Sequence, residues 1–325
     1  MTTGIGVVVI GRNEGQRLVR CLASLAGAAE QVVYVDSGST DGSVQQAQTL
    51  GVEVLALDMA QPFTAARARN EGFNRLQQLL PGLRLVQFVD GDCEVVPGWV
   101  QSAAAFLDAQ PQVAVVCGRR RERHPERSVY NLLCDLEWDT PSGEARACGG
   151  DALMRAGAFS AMGGYRAGLI AGEEPELCVR LRAAGWKVWR MDAEMTLHDA
   201  AMTRFGQWWQ RSQRAGYAYA EGAALHGAPP ERHWLRESRR AWWWGLGIPV
   251  LIALACMVVG AWGLLLALVY PLQAMRLARK GSRSRRENRL QALFLVLGKF
   301  PEMLGQARYF WRRMTAGKAQ LIEYK

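Results

Sequence analysis

Short apolar runs alternate with segments of helical periodicity along the first third of the chain. The runs that predict strands are Ile5–Ile10, Val32–Val35, Glu53–Leu57, Leu85–Val89 and Val113–Cys117. The segments between them place apolar residues at helical spacing and are Glu14–Leu25, Ser43–Leu50, Thr64–Leu80 and Gly98–Ala109. Alternation of this kind with short links predicts an α/β fold with a mostly parallel, doubly wound sheet.

Polar loops follow three of the predicted strands. Their sequences are Gly11-Arg12-Asn13, Asp36-Ser37-Gly38 and Asp90-Gly91-Asp92. Ligands of doubly wound sheets bind beyond the carboxyl ends of the strands. We therefore expect these three loops to form one binding site.

The pattern is less regular after Arg119. Pro175–Ala184 and Thr203–Gly222 predict helices, and Lys187–Arg190 predicts a strand. Residues 241–275 then form an uninterrupted run of 35 residues without a charge. Arginine and lysine residues flank this run on both sides.

The uncharged run is too long for one upright membrane span and short for two. As a single helix it would extend about 52 Å, against a hydrocarbon core of about 30 Å. Gly260-Ala261-Trp262-Gly263 near its middle is a plausible break, and basic residues at both ends favour the cytoplasmic side for both. We predict a tight helical hairpin, with a single tilted span and a hairpin buried in a soluble protein as alternatives. Leu290–Arg313 predicts a pair of amphipathic helices at the interface.

The net charge of +9 is unevenly distributed. Residues 1–235 contain 23 basic and 26 acidic residues, whereas residues 236–325 contain 16 and 4. The sequence contains no recognisable nucleic-acid-binding module, so we expect no nucleic acid as a partner. A basic segment beside an apolar run favours anionic membrane lipid instead. The seven cysteines show no metal-binding spacing and indicate reduced thiols.

Several acidic residues could perform chemistry, and most of them also have a simpler explanation. Asp90 and Asp92 at a strand end could hold a divalent cation, or lie in a solvated turn. Asp36 before a glycine-rich turn could contact a nucleoside. Glu173 and Glu174 could supply a general base, or merely favour the start of a helix. His198, which follows them at a predicted strand end, is by itself most simply a structural residue.

The order of these motifs along the chain resembles that of family 2 glycosyltransferases with the GT-A fold. The motifs are Gly-Arg-Asn after the first strand, VDSGSTDGS, ARARN, FVDGD, CGGDALMR, AGEEPELCVRLRAAGW and LHD. The resemblance covers roughly residues 4–225. It implies a catalytic domain over residues 1–235, followed by a basic, membrane-associating helical region over residues 236–325.

The resemblance also implies roles for individual residues. Nucleotide binding is implied for Ile10, Arg12, Glu14, Asp36, Arg69 and Asp90. Asp92 and His198 match metal-binding positions for Mn²⁺ or Mg²⁺, and Gly149, Gly150 and Asp151 match a loop on the acceptor side. Glu174 stands where the family usually has an aspartate as the base, and Glu173 precedes it. The QxxRW element of processive synthases is not intact in Gln210–Gly216.

These observations predict an inverting, metal-dependent glycosyltransferase at the cytoplasmic face of the inner membrane. It would transfer a sugar from a nucleotide-sugar donor, UDP-linked by preference, to a lipid-linked or membrane-proximal glycan acceptor in polysaccharide or cell-envelope biosynthesis. Arg119, Arg120, Arg121 and Arg123 could contact an anionic acceptor, or form a solvated loop. A GT-A-like nucleotidyltransferase and a catalytically idle membrane scaffold are the alternatives.

Overall fold

The computed structural model describes residues 3–315, which divide into two compact units. The first contains residues 3–124 and 137–201, and the second contains residues 125–136 and 202–315. The boundary predicted at residue 235 falls within the second unit. The division of the chain at residue 235 into a catalytic region and a membrane-associating region stays a prediction.

A nine-stranded mixed sheet forms the centre of the first unit. Its strands are β1 (Ile5–Gly11), β2 (Gln31–Asp36), β3 (Glu53–Ala56), β4 (Leu85–Asp90), β5 (Cys93–Val95), β6 (Val113–Glu122), β7 (Gly143–Ala145), β8 (Ala152–Arg155) and β9 (Lys187–His198). The order is β3-β2-β1-β4-β8-β6-β9-β5, with β7 paired to β9. The six predicted strands are all present, as β1, β2, β3, β4, β6 and β9. The neighbours β3, β2, β1 and β4 pair in parallel.

Apolar runs become buried strands because both faces of the parallel part of the sheet are covered. Val7, Val8 and Val9 of β1 are all fully buried, although neighbouring side chains of a strand point to opposite faces. The helices of this unit are α1 (Gln16–Ser24), α2 (Ser43–Thr49), α3 (Ala65–Leu79), α4 (Trp99–Ala109), α6 (Ala156–Ala161) and α7 (Glu173–Ala183). Helix α3 packs closely on the sheet, where a Cβ on Gly72 would lie 2.4 Å from the Val8 side chain.

Two strands are longer than their apolar runs predict. Strand β6 continues from Cys117 to Glu122, and β9 continues from Arg190 to His198. They pair in parallel with bulges along this extension, so Glu122 is aligned with His198. Strand β8 lies antiparallel between β4 and β6. These extensions bring charged residues to the end of the sheet where the polar loops lie.

Helices form the second unit. They are α5 (Val129–Trp138), most of which belongs to this unit, α8 (Phe205–His226), α9 (Leu235–Trp242), α10 (Ile248–Val259), α11 (Val269–Lys280), α12 (Arg285–Leu297) and α13 (Lys299–Met314). A π-helical turn over residues 243–247 joins α9 to α10, and a 3₁₀ helix over residues 260–268 joins α10 to α11. Helices α12 and α13 confirm that residues 290–313 contain a helix pair. Helices α8 and α13 pack together, with the rings of Tyr217 and Tyr309 5.3 Å apart.

The uncharged run forms a helical hairpin, as predicted. Within the described residues, Leu235–Lys280 is the one helical run whose length and apolar composition would suit a membrane span. The run turns back on itself at Gly260, whose φ of 64° lies in the left-handed region. Away from the turn, the two arms are joined by a hydrogen bond, in which the Tyr270 hydroxyl donates to the Trp244 carbonyl at 2.7 Å. Close to the turn, Gly263 lies against Cys256, where a Cβ would be 2.4 Å from the backbone nitrogen.

Candidate functional site

The three polar loops meet at one edge of the sheet. Strand register aligns Gly11 of β1 with Asp36 of β2, and Ile10 of β1 with Asp90 of β4. The Gly91 amide also donates to the Ile10 carbonyl at 2.8 Å. Parallel strands end at the same edge, so this register brings together residues that are about 80 positions apart in the sequence.

Asp36 is buried and holds its own loop in place. Its carboxylate accepts hydrogen bonds from the Tyr34 hydroxyl at 2.9 Å and from the Gly38 and Ser39 amides, both at 3.0 Å. The Asn13 side chain accepts from the Thr40 amide at 2.7 Å and so connects the first loop to the second. Backbone donors therefore fix the geometry of this part of the site.

The other predicted residues of the first loop differ in exposure. Ile10 is buried at the end of β1, and Arg12 is exposed. Glu14 is largely buried and forms an ion pair with Arg17 at 2.7 Å. Arg12 is thus the solvent-exposed cation of this loop.

Arg69 connects two of the predicted acidic motifs. It is 3% exposed, and its guanidinium contacts both Asp90 and Glu173 at 2.6 Å. Burial alone would lower the pKa of Arg69, but the two carboxylates outweigh it and raise that pKa. Burial likewise raises the pKa of Asp90, but the positive charges of Arg69 and Arg120 outweigh it and the net shift is downward. Asp90 and Arg69 are therefore held in their charged forms.

A second ion pair supports Asp90 from the neighbouring strands. Arg120 contacts Asp151 at 2.7 Å and Asp90 at 3.5 Å. Asp151 is fully buried, and its carboxylate also accepts from the Asp90 amide and the Thr196 hydroxyl, both at 3.0 Å. Asp151 therefore positions the end of β4. The role in acceptor binding that the sequence predicts for Asp151 and its loop stays a prediction.

Gly150 gives this network room. A Cβ at this position would lie 2.9 Å from Nη2 of Arg69 and 3.0 Å from Oδ2 of Asp90. A larger residue would therefore press on the Arg69–Asp90 ion pair. The close approach explains why the predicted loop has glycine here.

Asp92 and His198 form a group that could hold a metal ion. Nε2 of His198 lies 3.4 Å from Oδ2 of Asp92, and both side chains are buried. Ligand atoms about 2.1 Å from one ion and at right angles to each other would be about 3 Å apart, so this spacing suits a shared cation. The two residues are neighbours because β5 and β9 pair Cys93 with His198.

Cys93 lies in the same group and was not predicted. Its Sγ is 3.7 Å from Oδ1 of Asp92, within reach of a common ion. Burial raises the pKa of the Cys93 thiol well above its usual range, and the nearby Asp151 raises it further. Mg²⁺ prefers oxygen ligands, and Mn²⁺ suits carboxylates. The protonated thiol is thus better suited to donate to Asp92 than to bind such an ion.

Glu122 is a second residue of the candidate site that sequence reasoning missed. Its buried carboxylate lies 3.4 Å from Nδ1 of His198 and accepts from the Ala200 amide at 3.1 Å. The Trp138 ring packs edge-on against the imidazole at 4.7 Å. A carboxylate at Nδ1 favours a proton on that nitrogen, which leaves the Nε2 lone pair directed toward Asp92. The clue in the sequence was an acid among the arginines of residues 119–123, for which we considered contact with an anionic acceptor or a solvated loop.

Glu174 is the most deeply buried acid of the predicted pair. It is 2% exposed and accepts from the Cys148 and Gly149 amides, both at 2.8 Å, and from Cys178 Sγ at 2.9 Å. Burial raises the pKa of Glu174, although these hydrogen bonds oppose the shift. Glu173, in contrast, is paired with Arg69. The two neighbouring glutamates therefore have different electrostatic environments.

The arginines of the predicted basic cluster do not share one environment. Arg120 is directed inward, and its guanidinium lies 5.3 Å from the Trp138 ring centroid. Arg121 is exposed and pairs with Glu194 at 2.6 Å, and Arg123 pairs with Glu94. Contact with an anionic acceptor stays a prediction for this cluster.

Comparison with protein families gives a match over the first half of the chain. The model described as glycosyl transferase family 2 matches residues 6–162. This region contains β1 to β8 and the loops with Asp36, Asp90 and Asp92. Glu174 and His198 lie beyond the matched region.

Solved structures with a similar fold include a mannosyltransferase and a synthase. A mannosyltransferase from Pyrobaculum calidifontis, in complex with GDP-Man and Mn²⁺, aligns with 96% of this chain and 88% of its own at 16% identity and a TM-score of 0.60. TarS of S. aureus, residues 1–349, aligns with 97% of this chain and 92% of its own at 13% identity and a TM-score of 0.52. Glucosyl-3-phosphoglycerate synthase from Mycobacterium tuberculosis aligns with 70% of this chain and 81% of its own at 17% identity and a TM-score of 0.50. These likenesses confirm the predicted GT-A fold.

Proposed function

We propose that the protein is an inverting, metal-dependent glycosyltransferase. The premise is that the chain belongs to glycosyl transferase family 2 through residues 6–162. The observation that supports this proposal most directly is the convergence of the three polar loops with Asp92 and His198, 3.4 Å apart, at one edge of the sheet. A nucleotide-sugar donor needs a pocket for the nucleoside and a centre for its diphosphate. Asp36 and the first loop would serve the nucleoside, and Asp92 with His198 the diphosphate.

The donor set suits Mn²⁺ or Mg²⁺. Asp92 supplies a carboxylate oxygen and His198 an imidazole nitrogen, and both are buried at a distance compatible with one ion. The mannosyltransferase and synthase neighbours are both in complex with Mn²⁺. When bound, such an ion would neutralise the charge that develops on the diphosphate leaving group. Asp90 would remain paired to Arg69 and Arg120, facing the sugar part of the nucleoside.

Glu174 is the better candidate for the base that takes a proton from the acceptor hydroxyl. A general base is effective when its pKa approaches the working pH. Burial raises the pKa of Glu174, and its carboxylate accepts from two amides and a thiol, all of which are uncharged. Glu173 is instead held in an ion pair with the Arg69 guanidinium, so its carboxylate is already engaged by a cation.

A single base supports inversion at the anomeric carbon. The acceptor hydroxyl would displace the nucleoside diphosphate directly while Glu174 takes its proton. A double displacement would need a second carboxylate as nucleophile. Asp90 and Asp151 are instead ion-paired with Arg69 and Arg120.

We propose a UDP-sugar as the donor to test first, with GDP-mannose next because the mannosyltransferase neighbour is in complex with GDP-Man. The proposed acceptor is a lipid-linked or membrane-proximal glycan of polysaccharide or cell-envelope biosynthesis. The apolar, basic C-terminal region supports a location at the cytoplasmic face of the inner membrane, in contact with anionic lipid.

A donor panel tests the proposed function. The full-length protein is incubated with UDP-, GDP-, ADP- and dTDP-sugars, with and without Mn²⁺ or Mg²⁺, and both thermal shift and nucleotide release are measured. We expect one donor to raise the melting temperature in the presence of metal and to release its nucleoside diphosphate. Pyrophosphate release would favour a nucleotidyltransferase. No binding and no turnover across the panel would favour the scaffold.

We predict that Glu122→Gln weakens Mn²⁺ binding about 10- to 100-fold, as expected for loss of a carboxylate that orients a metal-binding histidine. The amide cannot hold the Nδ1 proton of His198 as a carboxylate does. Isothermal titration with Mn²⁺ alone measures the effect without any substrate. Glu94→Gln is the matched control, since Glu94 is a nearby acid of β5 that pairs with Arg20 at 2.8 Å. Equal Mn²⁺ affinity in the two variants would contradict this role of Glu122.

A further inference from the structure

The tip of the helical hairpin is exposed and apolar. Val258 is 83% exposed, Trp262 75% and Met257 74%, all close to the turn at Gly260. In an apolar stretch of 18 residues within Leu235–Lys280, 6% of the residues are buried. A contiguous exposed patch of this kind in a protein marks an interaction surface.

Each arm of the hairpin is shorter than the thickness of the hydrocarbon core of a bilayer. At about 1.5 Å per residue, the first arm is about 24 Å long from Trp244 to Gly260. The return arm from Gly260 to Tyr270 is about 19 Å, since its 3₁₀ part rises about 2.0 Å per residue. The Tyr270–Trp244 hydrogen bond joins the arms at this level. Both values are below the roughly 30 Å thickness of the hydrocarbon core.

The charges lie only at the open end of the hairpin. Arg239 and Arg240 precede the first arm, Arg276, Arg279 and Lys280 follow the second, and residues 241–275 are uncharged. Trp243 and Trp244 lie at the same end, where aromatic rings favour the headgroup level of a membrane. Anionic headgroups complement this ring of cations, whereas parallel hairpins of two protein copies would bring the cations together. The observations therefore favour lipid as the occupant.

We propose that residues 241–275 enter one leaflet of an anionic bilayer, turn within the hydrocarbon at Gly260, and leave on the side from which they entered. This inference extends the membrane attachment included in the proposed function, and its tests use no transferase activity. The arms are helical on both sides of the turn, which keeps their backbone groups bonded within the hydrocarbon. Arg240 and Arg276 then both remain at the headgroups of the same leaflet.

Flotation with vesicles tests the lipid contact. The probe is a mixture of phosphatidylglycerol and phosphatidylethanolamine, compared with phosphatidylcholine alone. We expect wild-type protein to float with the anionic vesicles, Val258→Leu to behave like wild type, and Val258→Asp to bind at least tenfold less. Val258 is exposed, so the aspartate should leave the fold intact, which circular dichroism checks. Absence of wild-type flotation, together with dimers that Val258→Asp converts to monomers, would overturn the proposal in favour of a protein–protein contact.

Thiol labelling tests whether the hairpin crosses the bilayer. In a Cys256→Ser background, Val258→Cys marks the tip and Ser282→Cys the exposed segment after the second arm. A membrane-impermeant maleimide is applied to spheroplasts and to inverted vesicles, and the labelled site is identified by mass spectrometry. We expect the cysteine at position 282 to be labelled only in inverted vesicles, and that at position 258 only after detergent is added. Labelling of position 258 in spheroplasts would establish a crossing hairpin, and labelling in inverted vesicles without detergent would exclude insertion. Either result overturns the proposal.

Discussion

Asp92→Asn is expected to lower turnover by about 10²- to 10³-fold, the loss typical of removing one group that stabilises charge at the transition state. Asp92 is 4% exposed, and its carboxylate lies beside Nε2 of His198 at 3.4 Å. The amide has nearly the same shape but no charge, so it would bind a divalent cation poorly. Mn²⁺ affinity and catalysis should therefore fall together, while nucleoside recognition by the first two loops is retained.

Two measurements separate this effect from a loss of structure. Calorimetric titration with Mn²⁺ reports metal binding, and thermal unfolding without metal reports the fold. Cys93→Ser is the informative control, because Cys93 touches the same carboxylate. We expect Cys93→Ser to bind Mn²⁺ within a few-fold of wild type. If Cys93→Ser loses the metal and Asp92→Asn keeps it, the thiol is the ligand and the assignment of Asp92 is wrong.

Much of the site could be predicted because it follows from the order of strands in a parallel sheet. Apolar runs identified β1, β2 and β4, and their carboxyl ends necessarily meet at one edge. The register Gly11↔Asp36 and Ile10↔Asp90 is the structural result of that rule. Local patterns were sufficient here because each strand is buried on both faces.

The parts that could not be predicted depend on contacts between distant segments. Strand β6 continues past Cys117 through charged residues, because its partner β9 also continues, and this pairing aligns Glu122 with His198. Arg119–Glu122 contains only charged residues, so its sequence does not indicate that it pairs with a strand about 75 residues away. The antiparallel insertion of β8 between β4 and β6 is hidden for the same reason. Burial of the Arg120–Asp151 pair likewise depends on that insertion.

The distinction between Glu173 and Glu174 also required the structure. The two residues have the same side chain and adjacent positions, so their sequence gives no physical basis for separate roles. Helix α7 directs one carboxylate to Arg69 and the other to the Cys148 and Gly149 amides. Burial among uncharged donors raises the pKa of Glu174, whereas Glu173 is engaged by a cation, so the structure gives the two acids different surroundings.

Glu174→Gln is expected to reduce kcat by about 10²- to 10⁴-fold, the range for loss of a general base. The amide cannot take a proton from the acceptor hydroxyl, whereas donor and metal binding depend on other residues. Kinetics with the donor identified in the panel measure kcat, and a thermal shift with that donor and Mn²⁺ checks binding. Some loss of stability is also expected, about 1–3 kcal/mol, because the amide group cannot accept from both backbone amides.

Glu174→Asp and Glu173→Gln separate the base from its neighbour. The aspartate keeps the acid but shortens it by one methylene, so we expect activity between that of wild type and Glu174→Gln. Glu173→Gln breaks the ion pair with Arg69, which contacts Asp90, and should chiefly raise KM for the donor. If Glu173→Gln loses as much kcat as Glu174→Gln and Glu174→Asp is fully active, the two glutamates have exchanged roles.

The pH dependence of kcat/KM gives the sharpest test of the base. The deprotonated carboxylate is the active form, so activity should rise with pH as Glu174 loses its proton. Burial raises the pKa of Glu174, and the acid limb of the profile should therefore lie above the ordinary carboxyl value of about 4.3. Glu173→Gln should retain this limb, because the neighbouring carboxylate raises the pKa of Glu174 only in addition to burial. The pH profile of the residual activity of Glu174→Gln should lack this acid limb. An acid limb that persists unchanged in Glu174→Gln would mean that another group takes the acceptor proton.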